Sequence, residues 1–255
     1  MGRLRPISPF VHPPGSTLDA LADLLVGARC PGCHSPGPSV CPSCRDEVES
    51  SVATPTARML SPPLQIWAAG PYGGATRRLL TSFKERGRAS LAGLLGSRLA
   101  AAVAGMALAC DVVDPIVLVP VPSRPDVVRR RSYDAVALMA AEAAVRLADA
   151  GAAASWQSAL QHRRVVADQA GLDHGARTQN LAGALVAHRI GGALVVVVDD
   201  IVTTGASLSE SARALRVAGC AVLGGATVAS TVLRTASRRP VAAVVGRSMN
   251  EAAGL

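Results

Sequence analysis

The sequence predicts an α/β fold in which a parallel β-sheet is covered by helices on both faces. From Leu64 onward, short apolar segments alternate with Ala- and Leu-rich segments of helical periodicity, a pattern typical of strands joined by crossover helices. The segment LVVVV at 194–198 is apolar at every position, as expected of a strand with two buried faces. With 49% hydrophobic and 17% charged residues, the composition favours a compact body over disorder.

The elements before Leu64 predict a small amino-terminal module. Ser16 and Asp19 form a capping-box-like start, and leucines fall on one face of the segment that follows, so we expect a short helix there. Two Cys-x-x-Cys pairs come next, followed by a Pro-containing linker at 54–63. We therefore expect a module of helix, four-cysteine finger and linker over residues 1–62 and an α/β domain over residues 63–255.

Within the α/β domain, apolar runs predict the strands and a period of 3.6 residues predicts the helices. The predicted strands lie near Gln65–Ala69, Ile116–Val121, Leu194–Val198 and Ala221–Val228, with a weaker one at Val241–Val245. The predicted helices lie near Ala75–Lys84, Ser90–Ala109, Ser132–Ala150 and Leu208–Ala218. Alternation of the two kinds of element indicates a parallel sheet.

The apolar segments do not predict a membrane protein. No run reaches the roughly 18 uncharged apolar residues that a membrane-spanning helix needs. The apolar stretch after Ser16 carries Asp19 and Asp23, and acids at these positions also argue against a secretory signal. We expect a cytoplasmic protein without membrane insertion.

The cysteines Cys30, Cys33, Cys41 and Cys44 have the spacing of a metal-binding finger. They form two Cys-x-x-Cys pairs separated by seven residues, with turn-forming residues inside each pair. Four thiolates complete the tetrahedral coordination of Zn²⁺, so we predict a structural zinc site. An Fe–S cluster is the main alternative, and His34 can replace one cysteine. Disulfides and a redox pair are disfavoured by a cytoplasmic setting and by the second copy of the motif.

Two adjacent carboxylates, Asp199 and Asp200, follow the strongest predicted strand, where open α/β sheets bind ligands. A carboxylate accepts hydrogen bonds from paired hydroxyls and also suits a hard divalent ion. A polar turn comes next, made of Thr203, Thr204, Gly205, Ala206 and Ser207, and Ser207 with Glu210 predicts a capping box for the next helix. Backbone N–H groups, hydroxyls and the helix dipole favour a phosphate at this turn. The segment thus predicts a sugar phosphate site, with the phosphate on the turn and the ribose diol on the acids.

Other interpretations of this segment fit less well. A nucleotide hydrolase requires Gly-x-x-x-x-Gly-Lys-Ser/Thr, and no such glycine pattern precedes Lys84. A dinucleotide-binding fold requires Gly-x-Gly-x-x-Gly after its first strand, and this is absent. A solvated acidic turn before an ordinary capped helix remains the structural alternative.

The cationic residues favour an anionic ligand. The net charge of +8 favours the phosphates of a nucleotide or a nucleic acid, with a solvated basic surface as the alternative. Lys84 is the only lysine among 26 cationic side chains, and its compact ammonium suits a phosphate. The alternative for Lys84 is a solvated side chain stabilised by a helix carboxyl terminus.

The segment VVVVDDIVTTGAS at 195–207 resembles the phosphoribosyl pyrophosphate (PRPP) signature of type I phosphoribosyltransferases. From about residue 16 to about residue 230, the chain resembles the ComF (competence-associated, GntX-like) family. The motifs that carry this resemblance are the four-cysteine finger, Tyr72 with Gly74 and then Lys84, VPVPS at 119–123, Gln169 with Arg177 and Asn180, and Asp199 to Ser207. The chain departs from the family at 131–134, where Arg131, Ser132, Tyr133 and Asp134 replace the usual Arg-Gly-Phe/Tyr-Asn.

The resemblance implies a type I phosphoribosyltransferase-like sheet, a structural zinc, and PRPP or another 5-phosphoribosyl ligand bound with Mg²⁺. Asp199 and Asp200 would orient the ribose diol. The ligand-binding residues would be Thr203, Thr204, Gly205, Ala206, Ser207, Lys84, Pro122, Ser123, Arg124, Arg131 and Arg177. The loop after VPVP would contact pyrophosphate, although Pro120 and Pro122 also serve simply to end a strand.

Two classes of function follow from this resemblance. In the first, a phosphoribosyltransferase (a glycosyltransferase of nucleotide metabolism), Mg²⁺ and cationic side chains neutralise pyrophosphate as it leaves ribose 5-phosphate. In the second, the fold is non-catalytic and binds single-stranded DNA or DNA-uptake proteins, because ComF members are associated with DNA uptake in competent bacteria. The chain has six aromatic residues, few for base stacking, and no recognisable nucleobase pocket.

Overall fold

The computed structural model describes residues 28–37, 39–56, 60, 63–163 and 183–231. The helix expected after Ser16 and the weak strand expected at Val241–Val245 lie outside these residues. The described residues form a mixed α/β structure with a six-stranded, mostly parallel sheet flanked by helices. The predicted fold class is confirmed at this level.

The elements follow one another as strands and crossover helices. In chain order they are α1 (Pro42–Glu49), β1 (Thr54–Pro55), β2 (Ile66–Ala68), α2 (Gly74–Glu85), a 3₁₀ turn (Ala89–Leu91), α3 (Ala92–Ala109), β3 (Ile116–Pro120), α4 (Pro125–Arg131), α5 (Ala135–Asp149), β4 (Ala154–Trp156), β5 (Leu160–His162), β6 (Leu185–Ala187), β7 (Leu194–Val202), α6 (Ala206–Val217) and β8 (Ala221–Ser230).

The strand order places β7 near the centre of the sheet. The order is β1-β2-β8-β7-β3-β4, and only the β1–β2 pair is antiparallel. Strands β5 and β6 form a separate antiparallel pair. Because β2, β8, β7, β3 and β4 are parallel, their carboxyl ends share one edge of the sheet.

Strand β7 is buried on both faces, which explains its unbroken apolar run. Val196 and Val198 belong to one core cluster, which also contains residues of α2, α3 and α5. Val195 and Val197 belong to a second cluster, formed with α6, β5 and β6. All four side chains are 0% exposed. Alternating side chains therefore reach two cores, as the period of a strand requires.

Strand β7 is longer than predicted and includes the acidic pair. It extends to Val202 because β8 continues alongside it, with Asp199 opposite Thr227 and Ile201 opposite Ala229. The carboxylates therefore sit on hydrogen-bonded strand backbone rather than in a loop. A strand holds its side chains more rigidly than a loop does.

The helix predicted at 132–150 is α5, which begins at Ala135, and a short helix that was not predicted, α4, comes directly before it. Ser132 ends α4 with φ 66, in the left-handed region, so the helical backbone cannot continue through it. Asp134 then caps α5, because its side chain accepts hydrogen bonds from the backbone N–H groups of Val136 and Ala137. Five further elements that were not predicted, α1, β1, β4, β5 and β6, are all short.

The four-cysteine segment packs directly on the α/β body. Cys30, Cys44 and Val48 are 0–3% exposed and belong to the same core cluster as Leu79 and Phe83 of α2. Strand β1, which lies in the predicted linker, pairs with β2 at the edge of the sheet. The amino-terminal cysteines and the sheet thus share one hydrophobic core.

One helical stretch of the described residues, Ala89–Ala109, is long and apolar enough to cross a membrane by composition, with a mean hydropathy of 1.6. However, 61% of its apolar window is buried inside the protein. It packs against α5 and β8. These contacts are those of a core helix.

Candidate functional site

The four predicted metal ligands converge on one point. The Sγ atoms of Cys30, Cys33, Cys41 and Cys44 all lie within 4.8 Å of one another. The backbone N–H groups of Gly32 and Cys41 each donate to the Cys30 sulfur at 3.3 Å, and such bonds stabilise a thiolate. These four cysteines can hold a metal such as zinc.

The electrostatics of the thiols fit a bound cation. Hydrogen bonds from Ser35 lower the pKa of Cys33 to about 6. Burial and the neighbouring cysteines raise the pKa of Cys44 to about 12, and a metal ion would offset this by stabilising the thiolate. The turn also leaves no room for a side chain at Gly32, where a Cβ would lie 2.7 Å from the Cys44 sulfur. His34, the alternative ligand, contributes no atom to the cluster.

The turn after β7 requires its glycine. Gly205 is the N-cap of α6 and has φ 84, a conformation that favours glycine strongly. A Cβ at this position would also lie 3.0 Å from Leu60. A small cavity of about 50 Å³ opens on the turn and is lined by Asp199 and residues 201–208. The turn, the partial positive charge at the start of α6 and one carboxylate therefore share one cavity.

The predicted capping box at the start of α6 is wrong. Gly205 precedes the helix, so Ser207 lies inside its first turn. Glu210 is buried and instead accepts hydrogen bonds from the backbone N–H of Leu185, at 3.1 Å, and from Arg213. Burial alone would raise the pKa of Glu210, but these bonds lower it overall. Through these hydrogen bonds, Glu210 links α6 to β6 beside the turn.

The two acids have different surroundings. The Asp200 carboxylate is 4% exposed, and its Oδ2 lies 2.7 Å from the Nζ of Lys84 at the end of α2. Asp199 is half-buried and lines the turn cavity, and its Oδ1 accepts the backbone N–H of Asp200 at 2.8 Å. The pair therefore consists of one ion-paired carboxylate and one that faces the cavity.

The pKa values of this group reflect burial and mutual repulsion. Burial and the negative charge of Asp200 raise the pKa of Asp199 well above the usual aspartate range, and Lys84 offsets only part of this shift. Burial alone would lower the pKa of Lys84, but the charge and hydrogen bond of Asp200 raise it. Lys84 is therefore fully protonated at neutral pH, while Asp199 is the acid that resists ionisation.

The segment after β3, which includes α4, contacts the end of α2 at two residues, one on either side of Lys84. Arg131 forms an ion pair with Glu85 at 3.0 Å. The hydroxyl of Tyr133 donates to the backbone carbonyl of Phe83. Arg131 is close enough to oppose, by charge repulsion, the raised pKa of Lys84, so the two cations lie near one another.

The other predicted residues of this loop have partners within the protein. The carbonyl of Pro122 lies 3.1 Å from Nε2 of His162 on β5. The backbone N–H and hydroxyl of Ser123 donate to Asp134 at 3.3 and 2.9 Å. Arg124 makes two hydrogen bonds of 3.2 Å to Asp126. The loop is thus held in place by its own side chains.

The structure brings most of the predicted site to the carboxyl edge of the sheet. Lys84, Asp199, Asp200 and the 203–207 turn lie together, and Arg131 approaches them from α4. Arg177 lies outside the described residues, as do Gln169 and Asn180. The four cysteines form a separate cluster, joined to the site through α2.

Sequence reasoning missed the roles of three residues that stabilise the site. Asp134 caps α5 and fixes Ser123, His162 contacts Pro122, and Glu210 joins α6 to β6. Asp134 stands directly before an Ala-rich periodic segment, which is an N-cap signal. No local pattern predicts the contacts of His162 with Pro122 or of Glu210 with Leu185, because these partners are 40 and 25 residues away.

No protein-family model matches this chain, and no curated protein matches it. The resemblance of the 195–207 segment to a known signature therefore rests on its motifs alone.

Proposed function

We propose that this protein is a ComF-type member of the phosphoribosyltransferase fold that binds PRPP or a related 5-phosphoribosyl ligand with Mg²⁺. In this proposal the four cysteines hold a structural zinc ion. The cellular role would be in DNA uptake and processing or in nucleotide metabolism, in the cytoplasm.

One observation carries the proposal: a phosphate-sized cavity joins the Gly205 turn, the start of α6 and the Asp199 carboxylate. A helix amino terminus favours a phosphate, while a carboxylate favours hydroxyl donors. A ligand with both groups a short distance apart satisfies both preferences. A 5-phosphoribosyl group is such a ligand.

The same residues support a chemical role. Asp199 would accept hydrogen bonds from the ribose hydroxyls, and Asp200 would hold Lys84 in place. Lys84 and Arg131 would face the pyrophosphate, with Pro122, Ser123 and Arg124 in the adjoining loop. In a transfer reaction a nucleophilic acceptor would bond to ribose C1 while pyrophosphate leaves with the electron pair of the broken C1–O bond, and these cations together with Mg²⁺ would neutralise its charge.

Calorimetric titration with PRPP, with and without Mg²⁺, tests the proposal. The double variant Asp199→Asn/Asp200→Asn keeps side-chain volume but replaces the carboxyl group that would accept from the ribose hydroxyls and removes the charge that holds Lys84. A hydrogen bond to a charged group is worth on the order of 1.5 to 3 kcal/mol. We expect binding at least about tenfold weaker, with the fold retained. The control is Asp114→Asn/Asp149→Asn, which changes two exposed aspartates at the opposite edge of the sheet. If the wild type binds no phosphoribosyl ligand with or without Mg²⁺, or the site variant binds as well as the control, the proposal is wrong.

A second substitution tests the turn separately from the acids. Gly205→Val should abolish phosphate binding, because a branched residue is disfavoured at φ 84 and would crowd Leu60. Ribose 5-phosphate and ribose are the matched ligands. We expect Gly205→Val to remove the preference for ribose 5-phosphate over ribose, and an unchanged preference would exclude the turn as the phosphate site.

A third measurement, the release of pyrophosphate from PRPP with and without nucleobases, then shows whether the protein is an enzyme or a binding protein.

A non-catalytic nucleic-acid-binding role is the second candidate, favoured by a groove beside α2. Its lining includes His34, Arg77, Arg78 and Arg86 and contains no carboxylate. None of the aromatic residues in the described part of the chain is exposed, so contacts would go to phosphates rather than to bases. Affinity for a single-stranded oligonucleotide should then fall steeply with salt and vary little with sequence. Absence of binding at low salt would exclude this role.

A further inference from the structure

We propose that the first cysteine knuckle, Cys30–Cys33, is a positioning element for Lys84, so that metal binding by the four cysteines controls the Lys84–Asp200 ion pair through helix α2. The geometry of this connection does not depend on the ligand. The effect of this connection on phosphoribosyl binding rests on the function proposed above.

The knuckle is hydrogen-bonded to α2 at two successive carbonyls. The Ser82 hydroxyl donates to the carbonyl of Pro31 at 3.3 Å, and Nε of Arg78 donates to the carbonyl of Gly32. Ser82 is 1% exposed, so loss of its partner would leave a buried polar group unsatisfied. Both donors lie four residues apart on one face of α2. The knuckle thus contacts this helix near its middle, at Arg78, and in its last turn, at Ser82.

The last turn of α2 also carries Lys84. Only one residue separates Lys84 from Ser82, and the Lys84 Nζ lies 2.7 Å from the Asp200 carboxylate. Leu79, Leu80 and Phe83 are 0–1% exposed and pack in one cluster with Cys30. Buried side chains of this kind transmit a displacement because the core is close-packed. A shift of the knuckle therefore displaces the end of α2 relative to β7.

The sulfur positions determine the shape of the knuckle. Backbone N–H groups of Gly32 and Cys41 point at the Cys30 sulfur, and Gly32 lies against Cys44 with no space for a Cβ. When a cation holds four thiolates together, the carbonyls of residues 31 and 32 are fixed toward α2. Without the cation, no metal–sulfur bonds join the four cysteines and the knuckle loosens.

The chain offers a direct probe of this connection, because Lys84 is its only lysine. An amine-acylating ester followed by mass spectrometry therefore reports one side chain, with a lysine-containing peptide in the same tube as the rate reference. The ion pair slows acylation because it keeps the amine protonated. Asp200→Asn removes the carboxylate charge and serves as the positive control, with clearly faster acylation.

The decisive variant is Arg78→Met/Ser82→Ala, measured in the zinc-loaded protein. We expect Lys84 to be acylated at least about threefold faster than in the wild type, with unchanged zinc content. The matched control is Arg77→Met/Thr81→Ala, which removes a guanidinium and a hydroxyl at exposed positions of α2, where the Thr81 hydroxyl bonds only within the helix. This control should leave the rate unchanged.

Zinc removal by a chelator should accelerate acylation in the same direction, with circular dichroism used to verify that the sheet remains folded. If the chelated protein unfolds, the comparison of the two double variants decides the question alone. Equal rates in these variants, with Asp200→Asn still fast, would overturn the inference. Failure of PRPP to bind would overturn the proposed function and leave the acylation result unaffected.

Discussion

At the residue scale, the acidic pair combines two side chains of unequal character. Asp200 is buried and ion-paired with Lys84, whereas Asp199 faces the turn cavity and has a raised pKa. A buried carboxylate that resists ionisation destabilises the folded protein at high pH. This loss of stability is typical of functional sites, where a group is held in position for a ligand although the arrangement destabilises the folded protein.

Asp199→Asn should stabilise the ligand-free protein. The folded-state pKa of Asp199 is raised by burial and by Asp200, so the folded state binds more protons than the unfolded state, and the wild type loses stability as pH rises toward that raised pKa. The asparagine has no such dependence and still accepts the Asp200 N–H. Thermal melts that start near pH 4, about the usual aspartate pKa, should therefore show a Tm advantage that grows as the pH rises toward the raised pKa. A constant or shrinking advantage would contradict the raised pKa.

At the element scale, α4 ends in a strained residue. Ser132 has φ 66, although its position matches a glycine in the family that the chain resembles. A non-glycine residue in the left-handed region costs on the order of 1 to 2 kcal/mol. Arg131 and Tyr133, on either side of it, contact Glu85 and Phe83, and these contacts hold the strained turn against α2.

Ser132→Gly should raise the free energy of unfolding by up to about 1 kcal/mol, since relief of strain exceeds the entropy that glycine adds to the unfolded chain. Ser50 is the matched control because it ends α1 with φ −70 in the right-handed region. Ser50→Gly should destabilise the protein, as it adds entropy and removes the hydrogen bond to Glu47. Urea denaturation measures both. The same sign for the two variants would show that Ser132 is not strained.

At the scale of the whole molecule, Arg98 joins the segment after α1 to the sheet. This side chain of α3 is 8% exposed and donates to the carbonyls of Glu49, Ser51 and Ala69. Ala69 directly follows β2, so a single guanidinium connects the two parts of the chain. Only Arg presents enough donors in a fixed plane for three carbonyls.

Arg98→Met should destabilise the protein by about 2 to 4 kcal/mol, because three carbonyls lose a charged donor. We expect zinc release and loss of the sheet signal in circular dichroism to occur in one transition at a lower temperature, since the cysteines and the sheet share a core. Arg77→Met, on the exposed face of α2, is the control and should leave the transition unchanged. Two separate transitions in the wild type would show instead that the parts unfold independently.

The sequence by itself determined the elements whose signals are local. The apolar run before Asp199, the periodic helices and the paired cysteine spacing each depend on neighbouring residues, and the corresponding strands, helices and cluster are present. Tertiary structure alone decided which residues meet across long separations. Asp200 pairs with Lys84, which is 116 residues away in the sequence, and Ser82 bonds to Pro31, which is 51 residues away. It also separated the roles of two adjacent acids, since a strand turns successive side chains to opposite faces and each face has a different neighbour.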